Sequence, residues 1–161
     1  MATPVMVGAM SIRTSVVVGV YPGQADGVVL QAAVFAARFD AELICAWADP
    51  GRHDTVAPPT EAATFDPYLA AHLSRILGGL AIQWSTRRLS GDPARALGQL
   101  AESLRAVMIV VGTRDGTVRG SLQEFFAGSI AMHLAHRQNR PVVVIPLSPV
   151  SFDDDLPWES D

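Results

Sequence analysis

Four short, uninterrupted apolar runs constrain the fold of this chain more than any other feature. The runs "SVVVGV", "ELICAWA", "VMIVV" and "PVVVIP" begin at residues 15, 42, 107 and 141. None of them alternates apolar with polar side chains, so each is predicted to be a strand buried on both faces, as in a parallel sheet covered by helices. A fifth run, "AIQWSTRRL", does alternate and indicates an edge strand.

Segments with helical character separate these runs. We predict helices over residues 24–39, 64–77 and 128–137, and a further one that opens within "SGDPARALGQLAESLRA", where Asp92 caps the first amides and Pro93 fits the first turn. The alternating order predicts an α/β, single-domain, Rossmann-like three-layer sandwich with a parallel sheet. Ligands bind such sheets at the carboxyl ends of the strands, which directs attention to the loops after strands 1 and 4.

Composition limits the class of protein. The chain has 161 residues, 49% of them apolar and 17% charged, which suits one globular domain. A net charge of −4 argues against a sequence-independent nucleic-acid binder, and no apolar stretch reaches the ~20 residues of a membrane-spanning helix. The single cysteine, Cys45, rules out an internal disulfide framework. These features predict a cytoplasmic protein that binds neither nucleic acid nor membrane.

The two ends of the chain differ from its middle. Residues 1–14 lack the basic start of a signal peptide and are predicted to form a flexible extension. Residues 148–161 form an acidic tail that carries the run "DDD". The folded domain is therefore expected to span residues 15–147.

The loop after strand 4 is the strongest candidate for an anion site. The stretch "VVGTRDGTVRGSLQEFFAGS" leads from a strand through glycines and arginines towards a helix start. Backbone amides in such a loop, with the positive end of a helix dipole, favour phosphate. A plain structural interpretation competes with this one, because "SLQE" fits a capping box and the loop then only begins a short helical turn.

Several stretches together resemble the universal stress protein family over residues 15–147. They are "VVVGV", "AELICAWADP", "SGDPARAL" and "VVGTR…AGSIAMHLAHRQNRPVVVIP". The resemblance implies a five-stranded parallel sheet in the order 3-2-1-4-5 and a homodimer formed through the last strand, residues 141–146. It also implies ATP or another adenine nucleotide as ligand for some members, whereas other members lack nucleotide.

The nucleotide signature of the family is only partly kept. ATP-binding members have a glycine, two residues, a second glycine, nine residues, a third glycine and then serine or threonine. The first glycine matches Gly112 and the last pair matches Gly128-Ser129, but Asp115 stands where the second glycine belongs. The loop is also three residues longer than the signature. At the end of strand 1 the family aspartate that contacts the adenosine part is replaced by Tyr21.

These departures shape the functional expectation. We expect a homodimeric regulatory or binding module of the stress response with altered or weak adenine-nucleotide binding, in which Tyr21 stacks on a base or, as we favour, fills the adenine pocket. The alternative is an ATP-binding member with slow hydrolysis, which is at most a weak ATPase. A phosphotransfer receiver or a flavodoxin would have the same architecture. This chain, however, has neither an acidic cluster nor a hydroxyl-rich phosphate loop after strand 1. The expected nucleotide-contacting residues are Tyr21, Pro22, Gly23, Ala48, Gly112, Thr113, Arg114, Gly116, Gly128, Ser129 and Ile130.

No other constellation predicts chemistry. His133 and His136 lie three residues apart on the last helix without an evident third ligand, so no metal site is predicted. His72 is expected to be an ordinary helix residue, and Asp26 to cap or solvate the first helix. Cys45 is expected to be a buried apolar residue, and no catalytic residue is assigned.

Overall fold

The structure is a computed structural model that describes residues 13–49, 65–113, 130–146 and 151–154. Strands and helices alternate along these segments, as the apolar runs predicted. The elements are Ser15–Gly19 (β1), Asp26–Arg38 (α1), Glu42–Asp49 (β2), Pro67–Leu77 (α2), Trp84–Ser90 (β3), Pro93–Leu104 (α3), Met108–Gly112 (β4), Ile130–Arg137 (α4) and Val142–Ile145 (β5).

The strands form one five-stranded sheet in the order β3-β2-β1-β4-β5, and every pair within it is parallel. This confirms the predicted α/β fold and strand order. β1 lies at the centre, where Val18 pairs with Cys45 on one side and with Val110 on the other. The order of connection reverses between β1 and β4, so the ligand crevice of this architecture falls beyond these two strands.

Each face of the sheet has its own apolar core. On one face, α1 and α2 cover the even-numbered valines of β1, and alanines of α1 such as Ala32 and Ala36 are small enough to let the helix approach the strands closely. On the other face, α3 and α4 cover Val17, Ile44 and Ile109. The central strands therefore bury both faces, which explains why their sequences show no alternation.

Two helices begin with the same dipeptide. Asp66 accepts a hydrogen bond from the Leu69 backbone amide at 2.8 Å, and Asp92 accepts one from the Arg95 amide at 2.9 Å. A proline follows each aspartate at the first helical position, where a missing N–H costs nothing. The Asp92 cap confirms the prediction. The Asp66 cap shows that α2 begins at Pro67, later than the expected residue 64.

Arg140 and Gln138 link the start of β5 to the α3–α4 face of the sheet. Arg140 precedes β5, and its guanidinium donates to the Ala106 carbonyl at 2.9 Å and to Glu102 of α3 at 2.7 Å. Gln138 donates from its side-chain amide to the Leu134 and Arg140 carbonyls and accepts from the Arg140 amide. These bonds connect α3, the end of α4 and the start of β5, the strand that ends beside the crevice.

Candidate functional site

The predicted site residues that follow β1 and β4 lie on the same side of the sheet, where the carboxyl ends of the strands meet. Because Val18 pairs with Val110, Tyr21 and Thr113 each lie three residues beyond a directly paired position. Gly112 pairs in turn with Ile145 at the end of β5. The sheet therefore brings the tyrosine that replaces the family aspartate to the same edge as the start of the predicted anion loop.

A tight turn carries the chain from β1 to α1. The Gln24 amide donates to the Tyr21 carbonyl at 3.2 Å, Pro22 occupies the second position, and Gly23 has φ +82° at the third. Proline followed by a glycine in the left-handed region is the signature of a type II turn. The Gln24 side-chain amide also donates to the Gly19 carbonyl at 3.2 Å, which closes the turn over the end of β1. The "YPGQ" sequence thus fixes where Tyr21 stands.

A cleft of about 260 Å³ opens between this turn and α2. Its floor is apolar and includes Val29, Leu73 and Ile76, while Tyr21 and Tyr68 stand beside its mouth. Tyr21 lines this cleft and is 40% exposed. That it fills the adenine pocket, as we favoured from the sequence, stays a prediction, because the predicted phosphate loop lies outside the described residues. The volume exceeds that of a cavity that takes benzene, about 150 Å³. The cleft therefore has the volume, though not the enclosure, of a site for an aromatic ring.

Three ionisable side chains form a chain beside this cleft. Asp26 of α1 lies 2.5 Å from Nε2 of His72 on α2, and Nδ1 of the same imidazole lies 2.6 Å from a guanidinium nitrogen of Arg75. Asp26 makes no capping bond: the α1 cap is Ala25, which has no side-chain hydrogen bond to the helix. Of the two roles expected for Asp26, capping is therefore wrong, whereas its exposed place in the first turn of α1 fits the solvating role. Its pairing with His72 was not predicted.

A second cluster lies where β2 and β3 end. Arg88 donates to Asp49 at 2.5 Å, and its guanidinium carbon lies 5.4 Å from the centre of the Trp47 ring. Trp47 in turn meets Phe65 edge to face, with the ring centroids 5.9 Å apart. Ala48, the predicted small apolar contact to adenine, lies within this strand end and pairs with Leu89.

The β4 side of the site is described only at its start. The Thr113 backbone amide donates to the Ile145 carbonyl at 2.9 Å, so this N–H supports the sheet and is not directed at an anion. Ile130, the first residue of α4, packs against the core of the α3–α4 face. Arg114, Gly116, Gly128 and Ser129 lie outside the described residues. Their predicted role in holding phosphate stays a prediction.

Cys45 lies buried in the middle of β2, as expected. Burial raises the pKa of its thiol to about 12, because the apolar core disfavours the thiolate. Since the thiolate is the reactive form, we expect native protein to resist maleimide or iodoacetamide labelling at neutral pH. Labelling should reach one thiol per chain only in denaturant, as read by mass spectrometry. Rapid stoichiometric labelling of the folded protein would contradict this placement.

Neither a metal centre nor a membrane span emerges from the described segments. In residues 13–49, 65–113, 130–146 and 151–154, no three His, Cys, Asp or Glu side chains come together as ligands for a metal ion. A helix with the length and apolar character needed to cross a bilayer was not found in the same segments.

Sequence patterns missed two of these features for identifiable reasons. Asp26 and His72 are 46 positions apart, so no local spacing links them. Arg88 faces Trp47 because the two residues pair directly between β2 and β3. That register becomes visible only when both strands are placed. The Asp66 cap, by contrast, had a readable signal in the Asp-Pro dipeptide that opens α2.

Two solved structures share the fold of this chain. A universal stress protein crystallised in complex with cAMP is 25% identical, with a TM-score of 0.64 over 86% of this chain and 100% of that chain. A universal stress protein from Archaeoglobus fulgidus in complex with dAMP is 20% identical, with a TM-score of 0.57 over 83% and 98%. No match was found among curated proteins. The model of the universal stress protein family matches residues 13–146, and the chain belongs to that family.

Proposed function

We propose that this protein is a cytoplasmic binding or regulatory module of the stress response that binds adenine nucleotides weakly. The observation that carries this proposal is Tyr21, which replaces the aspartate of nucleotide-binding relatives and lines an open apolar cleft at the end of β1. The cleft has room for an adenine or adenosine group, but it lacks the aspartate carboxylate that nucleotide-binding family members place at the position of Tyr21. In this proposal the cleft binds the same class of ligand as those relatives, with lower affinity.

The structure with bound cAMP supports an adenine nucleotide as the ligand class, since that protein is similar over its whole length. The apolar floor and the tyrosine at the cleft mouth fit the base, because aromatic rings stack on bases. On the phosphate side, the Thr113 amide already donates to Ile145, so the donors that hold phosphate follow Thr113 in the chain. In this proposal Gly128 and Ser129, which precede α4 in the sequence, supply them.

We propose binding without efficient hydrolysis. A hydrolase needs a base or water-positioning group that is available to the reacting phosphate. Beside the cleft, Asp26 pairs with His72, and His72 contacts Arg75, so these groups are engaged with one another. Slow ATP hydrolysis is the alternative function. Phosphate release measured with purified protein and with an Ala25→Trp variant, which places an indole ring at an exposed position of the cleft lining, distinguishes it from contaminating activity.

Restoring the family aspartate tests the ligand proposal. We expect Tyr21→Asp to tighten adenosine binding about tenfold, because hydrogen bonds to a charged group contribute about 1.5–3 kcal/mol. Tyr68→Asp adds the same charge at the same cleft, at a residue that is 87% exposed, and serves as the matched control. Calorimetry with adenosine and cAMP measures both variants. Equal affinities of native protein and Tyr21→Asp would count against the assigned role of Tyr21.

We also propose a homodimer that forms through β5. The two edges of the sheet differ in character: β3 carries Arg87 and Arg88, whereas β5 reads "VVVI" and has Val144 43% exposed. Charged residues protect an edge strand from pairing, while an uncharged apolar edge invites it. When two β5 strands pair across the dimer, their exposed apolar edges are removed from water.

We expect Val144→Lys to convert the dimer into a monomer, since it places a charge on each of the two pairing strands. Arg87→Glu on β3 changes charge at the opposite edge and should leave the dimer intact. Light scattering coupled to size-exclusion chromatography gives the mass directly. A monomeric mass for the native protein at working concentration would refute the proposed assembly.

A further inference from the structure

The contacts among the side chains of Asp26, His72 and Arg75 are compatible with only one protonation state and tautomer of the His72 imidazole. Arginine carries only hydrogen-bond donors, so the Nδ1 atom of His72 that faces Arg75 at 2.6 Å must accept. The Nε2 atom then carries the proton and donates to the Asp26 carboxylate at 2.5 Å. Only the neutral imidazole protonated at Nε2 satisfies both partners at once.

Protonation of His72 breaks one of these two contacts. A doubly protonated imidazole has donors on both nitrogens, so its Nδ1–H would face a guanidinium donor of like charge. The bond to the Asp26 carboxylate, already charge-assisted, becomes an ion pair between two opposite charges and strengthens. The chain therefore changes from three linked side chains to an Asp26–His72 pair with Arg75 released. Its net charge changes from zero to +1.

Position makes this change relevant to ligand binding. Asp26 and His72 both line the cleft between the β1–α1 turn and α2. In the described residues, the ionisable groups that contact His72 are Asp26 from α1 and Arg75 from α2, and Tyr21 and Tyr68 line the same cleft. We propose that His72 is a proton-operated switch which releases Arg75 and gives the cleft mouth a positive charge as the pH falls. Histidine is the side chain whose charge changes between about pH 5 and 8.

Nuclear magnetic resonance tests the switch without any ligand. Long-range ¹⁵N–¹H spectra of the imidazole should show the Nε2–H form at alkaline pH. The Arg75 Nε–H signal should then shift with the same midpoint as His72, and this shift should vanish in His72→Gln, which keeps a polar side chain but does not titrate. An Nδ1–H form at alkaline pH, or an Arg75 signal that ignores the His72 titration, would overturn the proposal.

The effect on ligands rests on the proposed function and has a separate readout. We compare cAMP with adenosine, because the two share the base and the phosphodiester keeps its one negative charge across the range. The affinity ratio of cAMP to adenosine should rise about threefold to tenfold on acidification in native protein and stay flat in His72→Gln. Equal profiles in the two proteins would overturn the charge effect. Failure of both ligands to bind would instead count against the proposed function, and the spectra would still decide the switch.

Discussion

Leu134→Ala is expected to lower the free energy of unfolding by about 2–5 kcal/mol, the range found when a fully buried leucine is truncated. Leu134 is 1% exposed and is the one buried residue among the eight of α4. It packs beside Gly98 of α3, where an added Cβ would lie 3.6 Å from a Leu134 methyl group. Helix α3 already packs closely against α4 at this point. It cannot fill the space left by the leucine unless the helices shift, so a cavity remains.

The same substitution has a local consequence. α4 begins at the proposed phosphate side of the site, and Leu134 is its main attachment to the sheet. We expect hydrogen exchange in α4 to accelerate more than exchange in α1. His136→Ala lies on the exposed side of the same helix and should change stability by less than about 0.5 kcal/mol. Chemical denaturation measures both variants, and equal losses would contradict the packing described for α4.

Asp49→Ala is expected to cost about 1–3 kcal/mol. The side chains of Arg88 and Asp49 are only 17% and 21% exposed, so removal of the carboxylate takes a short ion pair away from a poorly hydrated guanidinium. The reverse truncation should cost less. In Arg88→Met an apolar stem still covers Trp47, so the packing on this ring is kept.

The order of these losses is the informative result. We expect Asp49→Ala to destabilise more than Arg88→Met, and Arg87→Met, an exposed neighbour on β3, to have the smallest effect. Thermal unfolding of the three variants gives the order. A larger loss for Arg88→Met than for Asp49→Ala would show that cation–π packing, rather than charge compensation, stabilises this corner of the sheet.

The sequence predicted those parts of the fold that depend on local pattern. The apolar runs identified β1, β2 and β4 because strands covered on both faces need not alternate. The run that became β5 was also identified, although this edge strand is only partly buried. The Asp92-Pro93 dipeptide predicted the start of α3 because capping and the missing proline N–H act within one turn. The strand order came from the family resemblance, since buried strands carry no local mark of their neighbours.

Contacts between distant segments could not be predicted in the same way. The Asp26–His72 pair depends on how α1 and α2 lie across the sheet, and the Thr113 bond to Ile145 depends on the register of β4 and β5. The openness of the cleft beside Tyr21 likewise depends on the distance between a turn and a helix. The replacement of the family aspartate was visible in the sequence, but its structural consequence was not.

We propose that adenine nucleotides bind weakly where β1 and β4 end, and a ¹H–¹⁵N titration of native protein with cAMP tests this proposal. We expect saturable shifts in fast exchange at Tyr21, Gly23 and Thr113, with an affinity no tighter than high micromolar. We expect no comparable shifts at Leu80, which lies near the amino ends of the strands. An absence of saturable shifts where β1 and β4 end would contradict the proposal, as would sub-micromolar binding or nucleotide that co-purifies at full occupancy.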